Sequence, residues 1–293
     1  MTIAATSPLQ AALNETVDGI GSFARGYPVY LEAPAGAETI SAAELHRPGP
    51  LRDFAMRAVK EWTDRPLDQD PRAAVSRLIR RYAGSVVTAA MAPLVHGIGL
   101  DTSPDRIDVI IKGDLPRGIV LRVDEVLGCA DRPATWPVVT RRVDSLARMR
   151  EDVFAELFSG FVWSFDHVIA NIKVSPQLLW STVAEQVDLL WENAMDGRDA
   201  RVFAGAVEDR DVALTAEDLP GVGGPNPMRD LLFWEPANEE GHRVEVRRVC
   251  CANFVVPGRP DVYCRNCGLI TPSERLTKWS AWRESVKRGS WTA

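Results

Sequence analysis

The chain has 293 residues, 46% hydrophobic and 25% charged, with a formal net charge of −6 at pH 7. This is globular composition, long enough for one large domain or two smaller ones, and the acidic balance argues against a nucleic-acid backbone as main partner. The first twenty residues, MTIAATSPLQAALNETVDGI, lack a basic segment ahead of an apolar core, so no secretory signal is expected. No apolar run approaches the roughly 20 residues that span a bilayer, so no membrane span is expected. The expected location is the cytoplasm, where thiols stay reduced and clustered cysteines point to metal or redox chemistry.

Helical periodicity opens the chain. Leu9, Ala12, Leu13, Val17 and Ile20 recur near the helical period between Ser7 and Phe23, with Pro8 suited to a first turn. A short helix is expected after Pro50. Asp70-Pro71 reads as an N-cap and first-turn pair before a long helix through AAVSRLIRRYAGSVVTAAMAPLV. Two stretches alternate like strands, RIDVIIK (Arg106 to Lys112) and GIVLRVDEV (Gly118 to Val126), and the intervening GDLPRG predicts a hairpin. Asp144 to Ile172 reads as a long helix, and Ser175-Pro176 opens another through QLLWSTVAEQVDLLWENAM. The Gly- and Pro-rich TAEDLPGVGGPNP is a loop without a phosphate-binding pattern. Near the end, Ser273 is placed to cap a helix carrying Leu276, Trp279 and Trp282 on one face. The fold class expected is mainly α with a small β element (α+β). A helical body over residues 1–235, with its hairpin near 106–126, precedes a small cysteine module over residues 236–293.

Four of the five cysteines fall in RRVCCANFVVPGRPDVYCRNCGLI, at Cys250, Cys251, Cys264 and Cys267. A two-residue gap lets both sulfurs of a CxxC face one metal, and Gly268 permits the tight backbone that closes such a turn. The adjacent pair discriminates further. Neighbouring residues sit about 3.8 Å apart at Cα and point to opposite faces of a strand, so both reach one ion only through irregular backbone. Structural zinc sites use gaps of two to four residues, whereas a two-iron cluster spreads four thiolate positions over two metals. The spacing favours a cluster and leaves a zinc knuckle, a vicinal disulfide or buried free thiols as alternatives. Cys129 lacks a partner cysteine and reads as a small buried hydrophobe.

The stretch RRVCCANFVVPGRPDVYCRNC resembles the C-terminal motif of ferric-siderophore reductases of the FhuF type, with a basic pair, Cys-Cys, a Pro-Gly segment and a closing CxxC. Upstream, AMAPLVHGIGLD, RIDVIIK…GIVLRVD, LLWENA and GPNPMRDLLFWE are similar to the family, so the likeness runs from about Leu51 to the end. The family usually has ten residues between the cysteine pairs and this chain has twelve, a change that loop closure tolerates at small cost. The resemblance implies that Cys250, Cys251, Cys264 and Cys267 ligate a [2Fe-2S] cluster. It also implies one-electron reduction of an Fe(III)-siderophore, releasing Fe(II), with no catalytic residue beyond the cluster. Arg247 and Arg248, directly before the ligands, are candidates to attract an anionic chelate or to stabilise the reduced, more negative cluster; the plain alternative is a solvated basic strand edge.

Nothing here matches a flavin or nicotinamide motif. The electron is therefore expected from outside, from a ferredoxin or a flavin-dependent reductase. Trp279, Trp282 and Trp291 are read as core residues, with a cover over one side of the cluster as the alternative, and His46, His96, His167 and His242 share no metal-ligand spacing. The alternative function is a ligand-binding protein whose four clustered cysteines form a structural zinc module. A siderophore-biosynthesis relative is a further alternative, because the family's helical body resembles part of the siderophore synthetases. Such enzymes need an ATP site and a longer chain, neither of which is apparent in this sequence.

Overall fold

The computed structural model describes residues 7–60, 71–112, 115–132, 136–195, 200–237, 243–252 and 263–287. Helix α1 (Pro8–Ile20) starts where Ser7 Oγ accepts the Gln10 N–H, and it buries Leu13, Val17 and Ile20. Two short elements follow, α2 (Ser22–Arg25) and β1 (Val29–Tyr30), then β2 (Glu38–Ser41), α3 (Ala42–Leu45) and α4 (Pro48–Lys60). Helix α5 (Pro71–Leu94) is the axis of the body, and its stretch from Arg81 to Leu94 is buried on every side. Its run of Ala, Gly and Ser lets neighbours approach closely. A Cβ on Gly84 would stand 2.3 Å from the Tyr27 ring, so this position requires glycine. Asp70, the expected cap, lies outside the described residues.

Strands β3 (Ile98–Leu100), β4 (Ile107–Lys112), β5 (Leu115–Leu121), β6 (Val126–Cys129) and β7 (Arg141–Val143) come next. The expected hairpin is present as β4 and β5, paired antiparallel from Ile107–Leu121 to Lys112–Leu115. It is the middle of a larger sheet in the order β1-β5-β4-β2, whose strand β5 packs on α5. Instead of one strand from Gly118 to Val126, the chain leaves this sheet after Leu121 and enters a second, β3-β6-β7, at Val126. The break falls at the charged stretch Arg122 to Glu125, where Asp124 pairs with Arg106. Cys129 is fully buried on β6.

Helices α6 (Leu146–Asn171), α7 (Pro176–Met195) and α8 (Ala200–Thr215) complete the body. Helix α6 is long and apolar enough to span a bilayer, with a mean hydropathy of 1.3 over eighteen residues, against the expectation of no such run. Its Phe154, Phe158, Phe161 and Phe165 are buried in the protein core. Helix α8 has no clear apolar period, because its inner face includes Asp209, 0% exposed and bonded to Arg150 of α6.

The loop from Ala216 to Pro227 leads to β8 (Leu232–Pro236) and β9 (Arg243–Arg247), an antiparallel pair packed on α7. Helix α9 (Pro272–Lys287) follows the second cysteine pair. Its start is a reciprocal cap in which Thr271 Oγ1 accepts the Glu274 N–H and Glu274 accepts the Thr271 N–H, so Thr271, not Ser273, holds the helix end. Trp279 and Trp282 turn inward against Ala237 and Val244, while Leu276 turns outward, 38% exposed. Trp291 lies outside the described residues.

Candidate metal centre

Four thiols meet where β9 ends. The Arg247 N–H donates to the Asn266 carbonyl at 2.9 Å, joining β9 to the CxxC turn by a parallel bridge between Arg247 and Cys267. Gly268 makes the approach possible, since a Cβ there would lie 2.6 Å from the Arg247 carbonyl oxygen. Within the turn, the Cys267 N–H donates to the Cys264 carbonyl at 3.2 Å. On the other side, Ala252 adopts φ 59°, a left-handed conformation that bends the backbone directly after the adjacent cysteines. This is the irregular backbone that the Cys250-Cys251 pair demands.

The sulfurs form a string of contacts. Cys251 Sγ lies 3.5 Å from Cys264 Sγ, and Cys250 hydrogen-bonds with both Cys251 and Cys267. Two backbone amides point at sulfur, Ala252 N–H to Cys250 Sγ and Leu269 N–H to Cys267 Sγ, each at 3.4 Å. Sharing protons with Cys251 and Cys267 pushes the Cys250 thiol up, while the hydrogen bond from Cys250 lowers Cys267 to about 6. Its bond with Cys251, together with burial, pushes Cys264 up. Among the described residues, no group of three or more His, Cys, Asp or Glu side chains is arranged to hold one metal ion. In donor chemistry the set fits a thiolate-held group: it supplies sulfur alone, and two amides already donate to it.

A buried charge network fastens the β8–β9 hairpin and the CxxC turn beyond it, together the cysteine hairpin, to α7. Glu185, 1% exposed, accepts from Arg247 Nη1 at 2.9 Å and from Asn266 Nδ2 at 3.1 Å, and pairs with Arg80 of α5 at 3.0 Å. Arg247 also donates to Ser181 Oγ and Thr182 Oγ1. One helical turn on, Asp188 accepts from Arg210 and from Trp234 Nε1. Further along, Glu192 pairs with Arg265, whose guanidinium lies 3.7 Å from the centre of the Trp282 ring. Burial and the neighbouring Asp188 and Glu185 charges raise the Glu245 carboxyl well above the ordinary range, and it accepts from Asn266. Arg275 donates to the Cys267 carbonyl and to Glu235, tying α9 to the same turn.

The structure therefore brings Cys250, Cys251, Cys264 and Cys267 together and leaves Cys129 apart on β6. It separates the two arginines. Arg247 is 3% exposed with its guanidinium turned into the body, and Arg248 is exposed beside the Phe233 ring at 4.9 Å. His46 is buried with Nδ1 against the Ala42 carbonyl, His167 contacts the Trp163 carbonyl, and His242 lies outside the described residues. The sequence reading missed Arg80, Glu185 and Asn266. A signal existed for one of them: Glu185, Asp188 and Glu192 recur at spacings of three and four along α7, so one face carries inward-turned carboxylates.

Elsewhere, a cleft of about 360 Å³ is lined by Asp101, Glu125, Arg141, Arg148, Asp152 and Glu156, among others, and by no residue of the cysteine hairpin.

A mainly helical body with small sheets, closed by a hairpin that gathers four thiols, defines an α+β protein with a thiol-only terminal centre. The profile of the family described as ferric iron reductase FhuF-like transporter matches residues 76–232, more than half of the chain, and the chain belongs to that family. Membership ties it to iron handling. No curated protein matches the chain in sequence. Among solved structures, aerobactin synthetase IucC from a hypervirulent pathotype of Klebsiella pneumoniae shares the fold at TM-score 0.50 and 12% identity. The likeness covers 78% of this chain and 49% of the synthetase, so this chain spans about half that protein's length.

Proposed function

We propose that the protein is a cytoplasmic ferric-siderophore reductase in which Cys250, Cys251, Cys264 and Cys267 hold a [2Fe-2S] cluster. The observation that carries this reading is the convergence of all four thiols at one hairpin end, in a chain whose body belongs to a ferric iron reductase family. When bound, such a cluster supplies one electron at a time, at a potential set by hydrogen bonds to sulfur, charge and exposure. The chain's own contribution is to present the thiols, donate the Ala252 and Leu269 amides to sulfur, and keep both cysteines of the CC pair half-buried. The thiols are strung in pairs, which suits a target larger than one ion better than the closed tetrahedron of a structural zinc.

The substrate is ferric iron held by hard oxygen donors. On gaining one electron the metal becomes Fe(II), which such ligands hold far less tightly, and it leaves. Of the basic pair, Arg248 is the docking candidate, because it faces outward next to the ligands and attracts an anionic chelate. Arg247 serves the hairpin's attachment instead. An external ferredoxin or flavin-dependent reductase returns the electron.

The test is direct. Protein purified without oxygen is expected to be red-brown, with close to two irons and two acid-labile sulfides per chain. Reduced with dithionite and desalted, it is expected to reoxidise when mixed with a ferric siderophore and an Fe(II) trap. One zinc per chain without sulfide would refute the cluster and favour the binding-protein alternative. A cluster that stays reduced against hydroxamate, catecholate and carboxylate chelates alike would refute the reductase.

A further inference from the structure

We infer that Arg80 and Glu185, both in the helical body, are positioning residues that set the electron affinity of the redox group held by the hairpin thiols, with opposite signs. The inference rests on the proposed cluster and concerns its tuning. Glu185 is the hub. Its carboxylate takes Arg80 at 3.0 Å, Arg247 at 2.9 Å and the amide of Asn266 at 3.1 Å, and Asn266 is an interior residue of the CxxC turn. The three charges thus pack against the CxxC turn through Asn266 and the Arg247 backbone, and the Cys251 and Cys264 charges act on both Arg80 and Arg247. The outer pair is served differently, by backbone amides at Cys250 and Cys267.

Charge counting gives the direction. Two guanidinium groups face one carboxylate, which leaves one net positive charge beside Cys251 and Cys264. The other carboxylates of this region do not cancel it: Asp188 is taken by Arg210, Glu192 by Arg265, and burial holds the Glu245 carboxyl toward its protonated form. A fixed positive charge favours the more negative, reduced form of a neighbouring redox group, and the effect is large where water is excluded. Arg247 cannot be removed without loosening the hairpin. Arg80 can, because its side chain keeps 29% exposure and it belongs to α5, not to the hairpin. Both Arg80 and Glu185 fall inside the span matched by the family profile, whereas the thiols lie beyond it, so the body carries the tuning and the tail carries the ligands.

The experiment is a mediated redox titration of the cluster's visible and magnetic-resonance signals in wild type, Arg80→Gln, Arg80→Lys and Glu185→Gln. Arg80→Gln is expected to weaken reduction at least tenfold in the one-electron equilibrium, a midpoint lowered by about 59 mV. Glu185→Gln is expected to move it upward by a similar factor, and Arg80→Lys to stay near wild type. A purely structural role would change cluster content or thermal stability and leave the midpoint in place. Midpoints that do not move, or that move in the same direction in both glutamine variants, overturn the inference while the cluster reading stands. Should Arg80→Gln fail to fold, the upward shift in Glu185→Gln decides alone, and its absence overturns the inference. Wild-type protein without iron and sulfide overturns both readings.

Discussion

Ala252 is the residue on which the adjacent cysteines depend. Its φ of 59° is a conformation that costs an L-residue roughly 1–2 kcal/mol, and it sends the Ala252 N–H back to Cys250. Ala252→Gly is expected to keep full iron content and change stability by less than about 1 kcal/mol, because relief of strain offsets the added chain entropy. Ala252→Val places a β-branched side chain in that region and is expected to cost about 1–3 kcal/mol and lower iron per chain. Iron analysis with denaturant unfolding checks both. Cys129 offers the control. It is buried on β6 away from the hairpin, so Cys129→Ser is expected to leave visible absorbance unchanged in folded protein.

Residue-scale electrostatics also predict a pH dependence. His46 is buried between the Tyr82 and Trp163 rings, and burial lowers its pKa to about 4, with the nearby His167 acting in the same direction. Unfolded, it takes a proton near the ordinary histidine value of 6.5, so between about 4 and 6.5 the unfolded state binds more protons. Its contribution to stability is complete above that window and is lost as the pH falls through it, by about 3 kcal/mol in all. Asp209 works in the opposite sense, since burial raises its pKa to about 6 and acid therefore favours the folded form. Comparing wild type with His46→Phe isolates the histidine: the stability difference between them is expected to change by about 3 kcal/mol between about pH 7 and pH 4. A difference independent of pH would show that His46 is not the group responsible.

At the scale of elements, the β8–β9 pair is held to the body by a buried charge network alongside apolar packing. Leu232 and Ala252 join the main core, with Trp234 and Val249 packed on it, and a small cluster of Ala237, Val244, Trp279 and Trp282 lies between β8–β9 and α9. Arg247 is therefore an anchor. Arg247→Ala is expected to destabilise by about 3 kcal/mol, because it leaves a buried carboxylate short of a partner, and to lower cluster content with it. Arg248→Ala is expected to leave stability and cluster content unchanged and to slow reoxidation by anionic chelates, most strongly at low salt. Stopped-flow reoxidation at two ionic strengths separates the two arginines, which the sequence presents as one basic pair.

For the whole molecule, the long elements and the cysteine grouping were legible in the sequence, and their connection was not. Helices α1, α5, α6 and α7 declare themselves through period, three of them with a first-turn proline, and β4–β5 through alternation, because each is a property of neighbouring residues. The cysteine spacing is likewise local, and with the basic pair it pointed to a family that the profile match to residues 76–232 identifies from other residues altogether. Strands β1, β2, β3, β6 and β7 are two to four residues long, too short to show a period, and exist only because partners far along the chain pair with them. The same holds for the burial of Arg247 and for its meeting with Arg80 and Glu185 across three distant segments. A charged residue in a sequence does not reveal whether water or another charge will satisfy it. That is decided by which elements pack together, and here the packing of α5, α7 and β9 determined which charges meet at Glu185 against the CxxC turn.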